Sequence, residues 1–269
     1  MTLSDTDQTP ATEGKLAKLS VIVITRDEEE NIGLCLDSVS WADEIVVVDS
    51  GSVDKTVEIC KAYTDNVTES DWAGFGPQKN KALDLATNEW VLSIDADERL
   101  DRALQLEIQR CIADPQSRDA FYIPRRSSYC GRLMRHSGWY PDYVLRLFRR
   151  KAGRFSEDLV HERVIVEKKP GKLINPLLHY PMDTFEKAID KMNLYSTLAS
   201  QNQFNAGKTS SLVKALSRGL WTFIRVYFLK RGFLDGPQGL MLAISNAGGT
   251  YYKYVKLARL NRIAKDQCR

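Results

Sequence analysis

The chain has 269 residues, of which 43% are hydrophobic, so it can bury a full core as one large domain or one domain with an appendage. No run reaches about eighteen apolar residues, which argues against a membrane-spanning helix, and the five scattered cysteines favour neither a disulfide framework nor structural zinc. The net charge of +3 hides an asymmetry, because residues 205–269 carry 12 Lys/Arg against two acids.

In chain order, residues 1–18 are polar, so we expect a loose tail and no secretory signal. The run LSVIVI at residues 19–24 is short, apolar and β-branched, which is typical of a strand covered on both faces. Further segments follow in alternation: a helix with Ile32, Leu36 and Val39 on one face, a strand at 44–48, a helix opening at 54–56, a helix at 77–86 and a strand at 90–94. This alternation predicts an α/β fold with a parallel sheet and helices on both faces.

Polar residues follow three of these strands at their carboxyl ends. Thr25 and Asp27 follow the first strand, Asp49 ends the second, and Asp95 and Asp97 follow the strand at 90–94. Because ligands of such sheets lie beyond the carboxyl ends of the strands, we expect these side chains to meet in one cleft. Two acids one residue apart can hold a divalent cation. The alternative is that Asp95 closes a strand and Asp97 caps the helix that begins near Asp101.

Beyond about residue 121 the pattern changes to short segments rich in Arg and aromatic residues. We expect added strands near 121–123, 143–148 and 164–167, which would close over the edge of the sheet. Helices are predicted at about 183–204, 210–231 and 238–262. The expected units are therefore a tail at 1–18, a catalytic domain at 19–182 and a basic, helical extension at 183–269.

Three motifs stand at the ends of the first three predicted strands: SVIVITRDE at 20–28, VVDSGSVDKT at 47–56 and SIDADE at 93–98. These motifs resemble those of the GT-A glycosyltransferases of family 2. Further segments narrow the resemblance to glycosyltransferases of the lipopolysaccharide core, including the β-1,4-glucosyltransferases of inner-core heptose. These segments are FGPQKNKAL at 75–83, GWYPD at 138–142, RLFR at 146–149, VHE at 160–162 and GFLDG at 232–236. The resemblance extends from about residue 19 to 260 and implies a GT-A (Rossmann-like) nucleotide-sugar-binding sheet.

The resemblance implies inverting transfer of a sugar to a lipid-linked acceptor. The expected sugar is glucose, and the expected donor is UDP-glucose. Thr25, Asp27 and Asp49 would contact the base and ribose, whereas Asp54 would shape the nearby loop. Each of these side chains also has a structural alternative, because Asp and Thr often cap strand ends and helix starts. Residues placed near the diphosphate are Lys79 and Arg146, although an exposed lysine is the ordinary alternative for the first.

The resemblance also implies a metal ion and a catalytic base. Asp97 would contact Mg²⁺ or Mn²⁺, because hard oxygen ligands suit both ions, with Asp95 as its partner nearer the ribose. Inverting transfer needs a base for the acceptor hydroxyl. The candidates are Glu162 and Asp158, with Glu157 behind them, and His161 is either an orienting or packing residue or a third metal ligand.

The basic carboxyl-terminal segment has an amphipathic pattern. Lys214, Arg218 and Arg225 lie on one stripe of a helical wheel, while Leu212, Leu216, Leu220, Phe223 and Tyr227 share another face. Such a helix can lie in a membrane interface and attract anionic lipids, and the alternative is a helix packed on the enzyme with a solvated basic face. With a lipid-linked acceptor, we expect a cytoplasmic protein that is peripheral on the inner face of the cytoplasmic membrane. We expect no nucleic-acid partner, because no motif for nucleic acid accompanies the charge.

Two other functions fit parts of the sequence. A sugar nucleotidyltransferase shares an α/β nucleotide fold but needs a Gly-rich loop after the first strand, where this chain has TRDEE at 25–29. A non-catalytic, membrane-bound scaffold would keep the nucleotide-sugar site for binding alone.

Overall fold

The structure, a computed structural model, describes residues 17–157, 162–182 and 184–267. The strands run β1 Leu19–Thr25, β2 Glu44–Asp49, β3 Val67–Glu69, β4 Trp90–Asp95, β5 Glu98–Arg99, β6 Ala120–Tyr129, β7 Arg132–Leu133, β8 Asp142–Arg149, β9 Gly153–Phe155, β10 Val164–Val166, β11 Gly171–Lys172 and β12 Leu177–His179. The helices run α1 Ile32–Asp37, α2 Thr56–Lys61, α3 Phe75–Leu85, α4 Arg102–Ala113, α5 Phe185–Asn205, α6 Leu212–Ile224 and α7 Gly236–Gln267. A π-helical turn at Arg225–Leu229 and a 3-10 turn at Gly232–Asp235 connect α6 to α7.

The amino-terminal half forms the parallel core that the sequence predicts. Strands β3, β2, β1 and β4 lie side by side and parallel in that order. The register pairs Thr25 with Asp49 and Ile24 with Asp95, so the polar ends of β1, β2 and β4 lie at one edge. The α/β fold class is confirmed.

Both faces of this sheet are covered, as the continuous apolar runs require. On one face, alternate residues of β1 such as Val21 and Val23 pack with α1, α2 and α4. On the other face, Ile22 and Ile24 pack with α3 and with the β9–β10 hairpin. Helix α4 begins at its own cap, because Asp101 accepts a hydrogen bond from the Leu104 amide at 2.9 Å. Asp97 is therefore not the cap of this helix.

Two of the three strands expected in the second half, β6 and β8, do not close over the edge of the sheet, whereas the third, β10, forms a separate hairpin with β9. Instead, β8 pairs antiparallel with β4, and β6 then pairs antiparallel with β8, so both extend the same sheet. Strand β12 follows, parallel to β6, and places His179 beside Ser127. The open side of β4 offers unpaired backbone groups, and β8 satisfies them.

The carboxyl-terminal region consists of α5, α6 and α7, close to the predicted helices. Helix α6 approaches α7 through Gly219, where a Cβ atom would meet Ala247 O at 3.2 Å. A lysine ties α5 to α7, since Lys256 Nζ donates to Asn193 Oδ1 at 2.8 Å and to Thr197 Oγ1 at 2.7 Å. Among the helices in the described part of the chain, none is both long and apolar enough to cross a membrane. The divisions at 18/19 and 182/183 stay predictions, and residues 1–16 and Asp183 lie outside the described residues.

One buried carboxylate of the helical region binds the loop between β7 and β8. Asp235, which is 1% exposed, accepts hydrogen bonds from the amides of Arg135 and His136 and from Ser137 Oγ, each at 3.0 Å. Ser137 has a left-handed backbone with φ of 60°, and its amide donates to Lys230 O at 2.9 Å. The turn before α7 therefore holds the loop at residues 135–137 in its conformation.

Candidate active site

The ends of β1, β4 and β12 surround a cavity of about 980 Å³, which we call the catalytic cavity. Thr25 lines it from β1, Asp95 and Asp97 line it from the end of β4, and His179 lines it from β12. Trp139 forms part of the opposite wall. The expected convergence of polar strand ends is thus present for β1 and β4.

Asp95 is held by two cations. Arg146 Nη2 donates to Asp95 Oδ2, and Lys79 Nζ lies 2.9 Å from Asp95 Oδ1. Both partners are nearly inaccessible, with side chains 7% and 3% exposed. Arg146 also donates to the fully buried Glu98 at 2.8 Å, and Lys79 pairs with Glu162 at 2.8 Å. The two cations that sequence motifs place near a diphosphate therefore bind acids of the protein in this structure.

The protonation states in this cluster follow from burial and charge. Burial alone would raise the pKa of Asp95, but the charges of Arg146 and Lys79 hold that pKa well below its usual range. Burial raises the pKa of Glu98 even though the adjacent Arg146 opposes the shift. Burial alone would lower the pKa of Arg146, whereas Asp95 and Glu98 raise it. Asp95 is therefore ionised at neutral pH, and its negative charge partly balances the positive charges of Arg146 and Lys79.

Asp97 has a different environment from Asp95. Its Oδ2 lies 3.3 Å from Nε2 of His179, and its Oδ1 has no hydrogen-bond partner within the described part of the chain. Nδ1 of His179 forms a hydrogen bond of 2.9 Å with Ser127 Oγ. A histidine whose second nitrogen is bonded in this way has a fixed ring orientation, which is typical of metal-ligating histidines.

A divalent cation fits this pair of side chains. Asp97 supplies a carboxylate oxygen and His179 an imidazole nitrogen, while Asp95 has both oxygens engaged. Within the described ranges, no group of three or more His, Cys, Asp and Glu side chains is arranged to hold an ion. The remaining ligands would have to be substrate phosphate oxygens and water, which is how Mg²⁺ is commonly bound beside nucleotides.

The sequence motifs missed His179. The signal for it was weak: one of only three histidines in the chain, at the end of a short apolar segment. Strand β12 places it there by pairing with β6, and no local pattern encodes that pairing.

The loops after β1 and β2 bind each other. Asp27 Oδ1 accepts from the Val53 amide at 2.8 Å, and the Asp27 amide donates to Ser52 Oγ at 2.9 Å. Asp54 Oδ2 accepts from the Glu29 amide at 3.1 Å. Asp27 has a left-handed backbone with φ of 52°, so these contacts also hold an unusual conformation.

Asp49 lies beneath these loops rather than in the cavity. It is fully buried, and its Oδ2 accepts from the amides of Gly51 and Ser52 at 2.9 and 2.8 Å. Asp27 and Asp54 instead line a smaller, neighbouring cavity of about 320 Å³ together with Asp97. The contact of Asp49 with a base therefore stays a prediction, and a ligand would have to displace the two amides.

The structure describes only some of the residues that are candidates for the catalytic base. Asp158 and His161 lie outside the described residues. Glu162 pairs with Lys79, and its side chain is 18% exposed. The segment that leads to these residues is anchored on α3, because Asn80 and Phe155 exchange hydrogen bonds of 2.9 and 3.0 Å between side chain and backbone.

Asp142 is a carboxylate of the catalytic cavity that the sequence motifs did not single out for chemistry. Its Oδ2 accepts from Arg125 Nε and Nη2 at 3.0 and 2.7 Å, which leaves Oδ1 without a partner in the described ranges. The side chain is 47% exposed at the start of β8. It is thus an available proton acceptor.

Comparisons with known proteins now define the class. The model of the family described as "Glycosyl transferase family 2" matches residues 20–165, more than half of the chain. The chain therefore belongs to glycosyltransferase family 2 and is a glycosyltransferase.

Individual relatives match almost end to end. "Lipopolysaccharide core biosynthesis glycosyltransferase LpsC" of Rhizobium meliloti is 32% identical over 262 residues, which is 90% of this chain and 95% of LpsC. An uncharacterized glycosyltransferase of Rickettsia typhi is 31% identical over 93% of this chain and 92% of its own. The crystal structure of S. aureus TarS 1–349 in complex with UDP has a TM-score of 0.47 at 18% identity, covering 92% of each chain.

Proposed function

We propose that this chain is an inverting, metal-dependent glycosyltransferase that moves glucose from UDP-glucose to a lipid-linked lipopolysaccharide core acceptor. The observation that supports the chemistry is the pairing of Asp97 with His179 inside the catalytic cavity. The acceptor class rests on the similarity to LpsC along nearly the whole of both chains. The assignment of UDP-glucose as the donor rests on the resemblance of the sequence motifs to those of lipopolysaccharide core glycosyltransferases.

In this proposal, the donor lies along the ends of β1 and β4. Thr25 lines the cavity, and its buried Oγ1 has no hydrogen-bond partner in the described part of the chain, so a nucleoside that reaches it would satisfy it. Asp27 and Asp54 border the adjoining cavity, where a base and ribose would fit. Asp97 and His179 would hold Mg²⁺ or Mn²⁺ beside the diphosphate. When bound, the ion supplies a Lewis acid for the departing nucleoside diphosphate.

Asp95, Arg146 and Lys79 then act as a rigid support for this site. The two cations fix Asp95 at the end of β4, one residue from Ala96 and two from Asp97. A support of paired, buried charges keeps the neighbouring ligand in one orientation.

For the base, we propose Asp158 or Glu162, with His161 as orienting residue, and we add Asp142 as a third candidate. Asp142 lines the catalytic cavity and retains a free oxygen, whereas Glu162 is bound to Lys79. Comparison of Asp158→Asn, Glu162→Gln and Asp142→Asn separates them. The variant that lacks the catalytic base should no longer transfer sugar to the acceptor but should still bind UDP in the presence of Mn²⁺.

We also propose that α6 binds the inner face of the cytoplasmic membrane through anionic lipids. Leu216, Leu220 and Trp221 are 56%, 63% and 52% exposed, while Ala215 and Gly219 form the buried face. The turn after α6 continues this surface with Phe228, Leu229, Phe233 and Leu234, all exposed. An apolar surface beside Lys214, Arg218 and Arg225 is the combination that favours a lipid interface over solvent.

The proposal is tested with purified protein, UDP-glucose and Mn²⁺. We expect UDP release that requires the divalent metal and is abolished by Asp97→Ala, whereas Asp65→Ala, at an exposed position, retains it. Thermal shift with other nucleotide sugars identifies the donor, because a ligand at 100 times its Kd stabilises the folded state by about 2.7 kcal/mol.

Three outcomes would contradict the proposal. Undiminished activity of Asp97→Ala would remove the metal role. Pyrophosphate release from a nucleoside triphosphate and a sugar phosphate would identify a nucleotidyltransferase. Binding of nucleotide sugars without turnover on any lipid acceptor would identify a scaffold.

A further inference from the structure

A second cavity, of about 310 Å³, adjoins the catalytic cavity, and we call it the side cavity. It lies between the end of β6 and helices α5 and α7. Trp139, Met182, Lys191 and Tyr195 line both cavities, so the two are adjacent and share a wall. The volume of the side cavity is at the lower end of the range of roughly 300–1,000 Å³ found for ligand pockets.

The charge of the side cavity has one sign. Lys191 and Lys253 line it, and no carboxylate does so among the described residues. Lys191 Nζ donates to the carbonyl oxygen of Pro181 at 2.9 Å, and Lys253 Nζ lies 4.8 Å from the centre of the Tyr254 ring. Neither ammonium forms an ion pair within the described part of the chain. Lys191 also borders the neighbouring cavity that Glu28 and Asp97 line, whereas Lys253 does not. Two ammonium groups in a concave site that no described carboxylate lines favour an anionic ligand.

The walls of the side cavity suit a sugar ring. Tyr195 and Trp139, whose ring packs edge to face against the buried Tyr129, offer aromatic surfaces. Asn246 adds an amide group. The hydroxyls of Ser196, Ser245 and Thr250 also line the cavity and keep their remaining hydrogen-bonding capacity, since they already bond to Lys256, Tyr129 and Thr222. Aromatic faces bury the C–H surface of a sugar, while hydroxyl and amide groups satisfy its hydroxyls.

We propose that the side cavity is an acceptor subsite for a saccharide residue that carries a carboxylate or a phosphate, next to the sugar that receives the transferred residue. The inference rests on the proposed function, because a cavity that shares four lining residues with the catalytic cavity is placed to bind a neighbouring part of the acceptor. Lys253 and Lys191 bind the anionic group, and Trp139 contacts the sugar at the junction of the two cavities.

Methionine methyl NMR tests binding without donor or metal. Met182 and Met192 line the side cavity, while Met134 and Met241 do not. Titration with glucuronate, glucose 6-phosphate, inorganic phosphate and methyl glucoside should shift the Met182 and Met192 signals with at least one of the two anionic sugars. Methyl glucoside at the same concentration should leave them in place, and Lys253→Ala should abolish the shifts. Equal shifts with methyl glucoside, or none with either anionic sugar, would overturn the proposal.

The choice of anionic sugar identifies the group. Glucuronate alone indicates a carboxylate, and glucose 6-phosphate alone indicates a phosphate. Shifts as large with inorganic phosphate as with glucose 6-phosphate would show an ion site without a sugar subsite, and would overturn the proposal.

Kinetics provide the second readout. Lys253→Ala should raise KM for the acceptor about tenfold, since a hydrogen bond to a charged group is lost, and leave kcat and UDP release from donor alone unchanged. Lys265→Ala, at an exposed position of the same helix, serves as matched control. An unchanged KM in Lys253→Ala would overturn the subsite while the glycosyltransferase activity remains. If the unmodified protein releases no UDP from the donor, that result contradicts the proposed function and leaves the NMR result unaffected.

Discussion

Two carboxylates one residue apart at the end of β4 have different tasks because their neighbours differ. Asp95 has a cation on each oxygen, whereas Asp97 faces His179 and has one oxygen without a partner among the described residues. The first pattern stabilises a buried charge cluster, and the second leaves coordination capacity for a ligand.

Asp95→Asn should therefore destabilise the protein by about 3–5 kcal/mol, because it leaves Arg146 and Lys79 buried without their shared acid. Urea unfolding measures this, with Asp65→Asn as the exposed control. Adding Lys79→Met to Asp95→Asn should cost less than the sum of the single changes. A loss below about 1 kcal/mol for Asp95→Asn would contradict the assignment.

The same cluster predicts a pH dependence. The pKa of Asp95 is lowered in the folded state, so its stabilisation is fully present above the unfolded pKa of about 3.9 and disappears as pH falls toward the folded pKa. The difference in unfolding free energy between the unmodified chain and Asp95→Asn should thus be constant from about pH 5 to about pH 7 and shrink below about pH 4. A difference that grows on acidification would show the opposite sign.

His179 gives a prediction about metal affinity. Ser127→Ala removes the hydrogen bond to Nδ1 of His179 and should weaken Mn²⁺ binding in the presence of UDP by about 10–100-fold. His179→Ala removes the proposed metal ligand itself and should weaken Mn²⁺ binding by at least as much. Calorimetry measures the affinity, and His136→Ala is the control because the hydrogen bond and the ion pair of His179 join it to Ser127 and Asp97, not to His136. Unchanged affinity in His179→Ala would remove it from the site.

At the scale of elements, the 3-10 turn before α7 supports a wall of the catalytic cavity. Asp235 holds the loop at 135–137, and Gly138 and Trp139, which follow directly, line that cavity. Gly232 is required in this turn, since a Cβ atom there would lie 2.8 Å from Val226 O. The helical region and the loop that leads to Trp139 therefore form one structural unit.

Asp235→Ala should cost about 3 kcal/mol or more, because two buried amides and a hydroxyl lose a charged acceptor. Transfer to acceptor should fall more than UDP release from the donor, since the loop lies beside Trp139. Asp266→Ala, at an exposed site of α7, should change stability by no more than about 0.5 kcal/mol. Equal losses of transfer and UDP release would indicate a purely structural role.

At the scale of the whole molecule, the apolar face of α6 is a surface that lipid would cover. The double variant Leu216→Asp/Leu220→Asp should abolish flotation with vesicles of anionic phospholipid and leave Tm nearly unchanged, because both positions are exposed. Leu34→Asp/Ile174→Asp, at exposed positions of the sheet-containing part, is the matched control. Binding of the unmodified chain should weaken as salt rises, owing to screening of the basic residues. Unchanged flotation of the α6 variant would contradict the membrane proposal.

The sequence by itself determined the parallel core, the helices and the polar strand ends. Those features depend on local signals: β-branched apolar runs and helical periodicity. Local motifs also identified the family, which the family match confirms.

Only the tertiary structure decided how the polar residues are used. Arg146 meets Asp95 because β8 pairs with β4, and His179 meets Asp97 because β12 pairs with β6. Both pairings join residues far apart in the chain, and the order of strands depends on long-range packing that no local pattern encodes. The burial of Lys79 has the same origin, because a lysine in the first turns of a helix is exposed by default until another element covers it.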